Sequence, residues 1–142
     1  MTGVRIGYAA APAPLAPELI KVHAALTVGT PTFIQRGCEE IFSVDLAPMR
    51  ARYRARRDLV CRRLREMGLP FYEPEGAFYI FPDIRAFGLE SEAFVRRLLH
   101  AEKLALIPSS CFGVEGFVRL SYCYSDAELL TGLCLLYTSR CV

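Results

Sequence analysis

Two hydrophobic rhythms divide this chain. Between residues 17 and 67 apolar side chains return at helical spacing, whereas beyond residue 69 they come in short runs that suit strands. Leu19, Ile20, His23 and Leu26 predict a helix opened by Pro17 and closed by Gly29. Thr30-Pro31 reads as an N-cap followed by a helix-starting proline, with Phe33, Ile34, Cys38, Ile41 and Phe42 at helical spacing behind it. The longest periodic run, residues 46–67, places Leu46, Met49, Tyr53, Val60, Leu64 and Met67 on one stripe, and Gly68 supplies its stop.

Residues 4–11 read as a strand with Ile6 and Tyr8 on one side of the pleat, and no partner strand lies nearby in sequence. After Gly68, residues 70–73, 77–81, 104–107 and 117–122 are β-like, residues 91–101 form a helix between them, and Gly76 permits a bend before Ala77. Ser125 and Glu128 fit a capping box at the start of a last helix. The pattern predicts an α/β layer from residue 69 onward, preceded by helices and one orphan strand.

Composition changes this picture little. With 142 residues, 53% of them hydrophobic, the chain suits one domain or a large piece of one. A net charge of +2 does not imply nucleic acid, and the arginines crowded between residues 50 and 65 fit a solvated helix face. Six cysteines without CxxC spacing and only His23 and His100 as imidazoles argue against a metal site. Free, mostly buried thiols, Cys111 and Cys123 among them, with no targeting segment and no membrane-length apolar run, favour a reducing cytoplasm.

One residue stands out against its surroundings. Arg119 sits in the β-like run Phe117-Val118-Arg119-Leu120-Ser121-Tyr122, where alternation with Val118 and Leu120 turns it away from the apolar face. Its permanently charged planar fork matches a carboxylate with two parallel hydrogen bonds. A substrate anion, a structural Asp or Glu, and open solvent on an edge strand are the three partners the pattern allows. Tyr8, Tyr79 and Tyr122 also alternate within strand-like runs, a pattern commoner for core tyrosines than for pocket walls.

Four stretches together carry a resemblance. Residues 1–8, Met-Thr-Gly-Val-Arg-Ile-Gly-Tyr, resemble the segment that follows the cofactor-binding lysine in class I and II aminotransferases, the fold-type I enzymes dependent on pyridoxal phosphate. Residues 73–79, Glu-Pro-Glu-Gly-Ala-Phe-Tyr, resemble that family's small-domain strand motif, and residues 117–122 its carboxylate-binding strand. Residues 108–113 resemble its Pro-Gly-Ser-x-Phe-Gly loop, with Ser109 in place of glycine.

The resemblance implies that Arg5 binds the phosphate of pyridoxal 5'-phosphate and that Arg119 clamps the α-carboxylate of an amino-acid or 2-oxo-acid substrate. It also places Thr30 where the family brings a residue toward the neighbouring subunit's cofactor. Fixing a phosphate and orienting a carboxylate are separate tasks for separate guanidiniums, and Gly3 and Gly7 beside Arg5 allow close backbone approach.

By the same resemblance the Schiff-base lysine would fall upstream of Met1, and neither Lys21 nor Lys103 matches its context. The expectation is therefore the C-terminal portion of a pyridoxal-phosphate-dependent aminotransferase, inactive alone and part of a homodimer when complete, without nucleic-acid or membrane partners. Its implied organisation is a remnant of the large cofactor-binding domain at residues 1–44 (a strand and two helices), a long connecting helix at 45–68, a small α/β domain at 69–133, and a tail of doubtful origin at 134–142. Two alternatives stay open at this point: a related lyase or synthase acting at the same α-carbon, and a non-catalytic α/β interaction module.

Overall fold

Pro17 sits in the first turn of helix α1 (Ala16–Thr27), where its missing N–H is no loss because that donor has no intrahelical partner. The computed structural model describes residues 2–138, and the chain divides into two units, Met1–Asp45 and Leu46–Val142. In the first unit α1 ends one residue before the expected glycine: Val28, at φ 64°, takes the left-handed turn and donates its N–H to the Ala24 carbonyl at 3.0 Å. Helix α2 (Thr32–Gly37) follows, then a 3-10 turn over Glu39–Ser43. Pro31 rather than Thr30 stands at its N-cap, and the Thr30 carbonyl instead accepts a hydrogen bond from the Gln35 amide at 2.8 Å.

The strand expected over residues 4–11 is not there. Thr2–Val4 form a 3-10 turn, Arg5 adopts φ 54°, and the residues after it, up to residue 12, belong to no helix or strand. A left-handed residue breaks the alternating pleat, and the described residues of this unit include no other strand to supply a ladder. None of the unit's residues whose exposure is defined is buried; Tyr8, Val28 and Phe42 are each more than nine-tenths exposed.

The second unit is built on helix α3 (Ala47–Glu66). Only the C-terminal half of its apolar stripe is covered: Val60, Cys61 and Leu64 are buried, while Leu46 and Met49 remain exposed. Gly68, at φ 66°, ends the helix as expected. Its N–H reaches the Arg65 carbonyl at 2.9 Å, and that of Leu69 reaches Leu64 at 3.0 Å, so two helix-end carbonyls are satisfied and Leu69 joins the core beside Leu64.

The β-like runs shrink to β1 (Tyr79–Ile80), β2 (Ile107–Pro108) and β3 (Val118–Ser121), joined as one antiparallel sheet in the order β1-β3-β2. Residues 70–73 contribute only a bridge from Phe71 to Pro82, for prolines 70, 74 and 82 lack the N–H that a ladder needs. Ala77, not Gly76, takes the left-handed bend before β1, at φ 59°.

Two further helices complete the unit. In α4 (Ser91–Glu102), the Glu115 carboxylate caps the N-terminus, accepting from the Ser91 N–H and hydroxyl at 3.0 Å each. Those donors, the backbone N–H first, hold the Glu115 carboxyl below the usual carboxylate range. Helix α5 (Asp126–Thr138) opens on the predicted capping box: the Ser125 N–H donates to Glu128 at 2.9 Å, and the Glu128 N–H donates back to Ser125 Oγ at 3.3 Å. It continues beyond Leu133 with Leu136 buried, and residues 139–142 lie outside the described residues, Cys141 with them.

The core lies between α3, α4, α5 and one face of the sheet, where Leu64, Ile80, Leu98, Val118, Leu133 and Leu136 have at most 2% of their surface exposed. Among the described cysteines only Cys61 is buried, and burial pushes its thiol up. Contrary to expectation, Cys111 and Cys123 are exposed, one in a 3-10 turn and the other just past the end of β3. Among the described residues no helix is long and apolar enough to cross a membrane, and no three potential metal ligands cluster.

Candidate anion site on the central strand

β3 occupies the middle of the sheet, and its residues alternate between the core and the opposite face. Val118 and Leu120 are buried; Arg119 and Ser121 are half-buried on the other side. In the ladder Arg119 stands opposite Ile107, and Ser121 opposite Tyr79, so Tyr79 shares the face from which Arg119 projects. The Arg119 Cζ lies over the Tyr79 ring, 4.5 Å from its centroid, and over the Phe112 ring, 4.8 Å from its centroid.

Phe112 reaches this place through a tightly tied loop. The 3-10 turn Ser109–Phe112 follows β2 and closes on Gly113 at φ 76°. Ser109 holds it twice: its N–H donates to the Phe117 carbonyl at 3.2 Å, and its hydroxyl accepts from the Phe117 N–H at 3.1 Å. The Ser110 N–H adds a bond to Ser91 Oγ at 3.3 Å. Serine in place of the motif's glycine thus gives the loop a side-chain anchor.

A cavity of about 400 Å³ opens beside Arg119, walled by Tyr79, Ile107, Ser121, Leu129 and the aliphatic face of α5. Its size suits a small organic ligand; its wall is mainly apolar, with Arg119 and Glu128 as its charged residues and the Glu128 carboxylate already engaged by Ser125. Three other arginines of this unit also lie against rings: Arg56 on Tyr53, Arg65 on Phe71 and Arg85 on Phe117. Each of those is matched by a carboxylate, from Asp126, Glu73 and Asp83 respectively. Arg119 has two rings and, among the described residues, no carboxylate. Of the three partners the sequence allowed, a structural Asp or Glu is therefore ruled out within this unit, and β3 is central rather than an edge.

The other expected site residues fall elsewhere. Arg5, in the first unit, is exposed at φ 54°, with open space beside Gly3 and Gly7. Lys21 pairs with Glu18 at 2.7 Å on the exposed surface of α1, and Lys103 caps α4, donating to the His100 carbonyl at 2.9 Å. Tyr122 is a core residue, as its pattern predicts, but Tyr79 is a pocket wall and Tyr8 is exposed. Phe112 was legible only as part of a loop motif; nothing in its local pattern connects it to a residue seven positions on.

Comparison with known proteins agrees with this architecture. Residues 1–134 match the model of the family described as aminotransferase class I and II. Over 136 residues the chain is 41% identical to an aspartate aminotransferase of Pyrococcus abyssi, an alignment covering 91% of this chain and 35% of that protein. It is 39% identical over 136 residues to aromatic-amino-acid aminotransferase 2 of Thermococcus litoralis, again with 91% and 35% coverage. The crystal structure of aspartate aminotransferase from Thermotoga maritima superposes on all of this chain and 37% of its own, with a TM-score of 0.93 at 34% identity. The chain thus spans about a third of the length of these relatives, and the expected α/β architecture of a fold-type I aminotransferase holds while the unrelated interaction module falls away. This chain belongs to the class I and II aminotransferases.

Proposed function

We propose that this chain supplies the anion-holding part of an enzyme that moves an amino group between an amino acid and a 2-oxo acid. Arg119 binds the substrate α-carboxylate and Arg5 the phosphate of pyridoxal 5'-phosphate. The observation that carries the reading is the contrast among the stacked arginines: three are neutralised by carboxylates, and the one facing a ligand-sized cavity is left for an anion from outside. Relatives named for aspartate and for aromatic amino acids support it, because those substrates share little beyond the α-amino-acid head that a single arginine could grip.

In favour of the phosphate assignment, Arg5 is exposed and makes no ion pair among the described residues, and a side chain built at Gly3 or Gly7 would meet nothing within 4 Å. When bound, the cofactor supplies an electron sink for chemistry at the α-carbon. The chain's own share is binding and orientation, since Lys21 and Lys103 are both engaged on helix surfaces. In this reading residues 1–44 belong to a large cofactor-binding domain, 45–68 to a connecting helix and 69–133 to a small domain. The complete enzyme is a cytoplasmic homodimer.

The test is a titration of the full chain, labelled with ¹⁵N at arginine, with pyruvate. Saturable movement of one guanidinium resonance, lost in Arg119→Gln, is the expected result. Undiminished pyruvate binding by Arg119→Gln would remove the substrate-site assignment. For the cofactor, the ³¹P signal of pyridoxal phosphate should respond to wild-type chain and not to Arg5→Gln.

A further inference from the structure

Arg119 interrupts a row of rings. Tyr53 and Phe78 have centroids 6.0 Å apart, Phe78 and Tyr79 4.5 Å apart, and on the other side Phe112 meets Phe81 edge-on at 5.7 Å. The guanidinium sits between Tyr79 and Phe112 in this series, over both rings.

We propose that Tyr79 and Phe112 are positioning residues, which hold the Arg119 guanidinium by its faces so that only its N–H edge meets the ligand. The inference rests on the assignment of Arg119 as the anion-binding residue and adds how its orientation is set. A carboxylate neighbour would fix an arginine too, but it would consume the donors that a substrate needs. A ring fixes the plane through the π face and leaves every N–H available.

Two observations separate this role from ordinary packing. Phe112 keeps 47% of its surface exposed, so its ring is not there to fill the core. Its loop is nonetheless tied down by Ser109 and Ser110, which fixes where the ring stands. A plane held in this way presents two parallel donors to the two oxygens of a carboxylate.

The experiment uses the full chain with ¹⁵N-labelled arginine and pyruvate as the probe. In the wild type the Arg119 Nε–Hε signal, identified by its loss in Arg119→Gln, should carry a ring-current shift, and pyruvate should move it saturably. Phe112→Leu should move the signal toward that of a free arginine and weaken pyruvate about fivefold, with Phe112→Tyr restoring both. Tyr79→Leu makes the same comparison from the other ring, so loss of the fold in one variant leaves the other to decide. An unchanged signal and unchanged pyruvate affinity in a folded leucine variant, with pyruvate binding still lost in Arg119→Gln, would overturn the positioning role alone. Pyruvate binding that survives Arg119→Gln would overturn the underlying assignment instead.

Discussion

The phenol of Tyr122 donates a hydrogen bond to the carbonyl of Ala77 at 3.1 Å, joining residues 45 positions apart in the chain. Ala77 is the left-handed residue that turns the chain into β1, and Tyr122, only 2% exposed, follows directly on β3. The bond therefore closes the end of the strand pair by a side chain where the ladder stops. Tyr122→Phe should lower the unfolding free energy by about 0.5–1.5 kcal/mol, because the hydrogen bond to Ala77 is lost while the ring still packs. Urea unfolding checks this, and an unchanged midpoint would show that the carbonyl finds water instead.

Acid should weaken the second unit through three carboxylates. The side chain of Arg85 first, then its N–H, holds Asp83 below the ordinary range; the Ser91 N–H and hydroxyl do so for Glu115, and the Ser125 hydroxyl and N–H for Glu128. A lowered folded pKa means that the fold favours the ionised form, so this stability is fully present above the usual carboxylate range, near pH 4, and is lost as pH falls through the folded values. Unfolding midpoints measured between about pH 6 and pH 2.5 should fall steeply at the acid end, and Glu115→Gln should flatten the slope. A flat profile in the wild type would sink the assignment.

Gly116 should resist any side chain. Its φ is +89°, and a Cβ built there would stand 2.6 Å from Arg85 Cγ. Gly116→Ala should cost about 1–3 kcal/mol from backbone conformation, with displacement of Arg85 from Asp83 in addition. Gly76, which meets nothing within 4 Å and has no such φ, is the control, and Gly76→Ala should be close to neutral in the same thermal unfolding assay.

Neighbouring residues of β3 should answer to different assays. Val118 is fully buried, and Val118→Ala should lower stability by about 1.5–3 kcal/mol. Arg119→Gln removes a half-buried side chain from the other face and should change stability by less than about 1 kcal/mol while abolishing the response to pyruvate. Equal destabilisation by the two would mean that Arg119 is a packing residue.

Amide exchange should separate the two units. Residues 6–11 have no ladder partners and the first unit has no described buried residue, so its amides should exchange far faster than those of β3. Slow exchange across residues 6–11 in a monomeric sample would contradict this.

The legible parts of the fold were those that local chemistry decides. Gly68 and the Ser125/Glu128 pair each act within a turn of helix, and both work as their spacing predicts. The side of β3 to which Arg119 points followed from period-two alternation, because Val118 and Leu120 claim the core. What escaped were features set by a distant partner or by its lack. Residues 4–11 have strand composition and no strand to join. Leu46 and Met49 continue a stripe whose covering elements reach only as far as Val60, with Tyr53 half-covered. Thr30 looked like a cap and was displaced by Pro31, whose geometry suits the same position. Of the site, Arg119 was visible as a charge in an apolar strand, whereas the absence of an acidic partner and the approach of Phe112 depend on how the loop after β2 folds back.

Cys61, sealed in the core beside Leu64, gives the second unit a built-in clock. With 1% of its surface exposed and its thiolate disfavoured by burial, it cannot meet an alkylating reagent until α3 parts from the core, whereas Cys111, Cys123 and Cys134 are open to it throughout. A brief pulse of reagent would mark the three surface thiols at once. The delay before the mark at Cys61 would then time the opening of the unit in each variant, without any ligand or activity being needed.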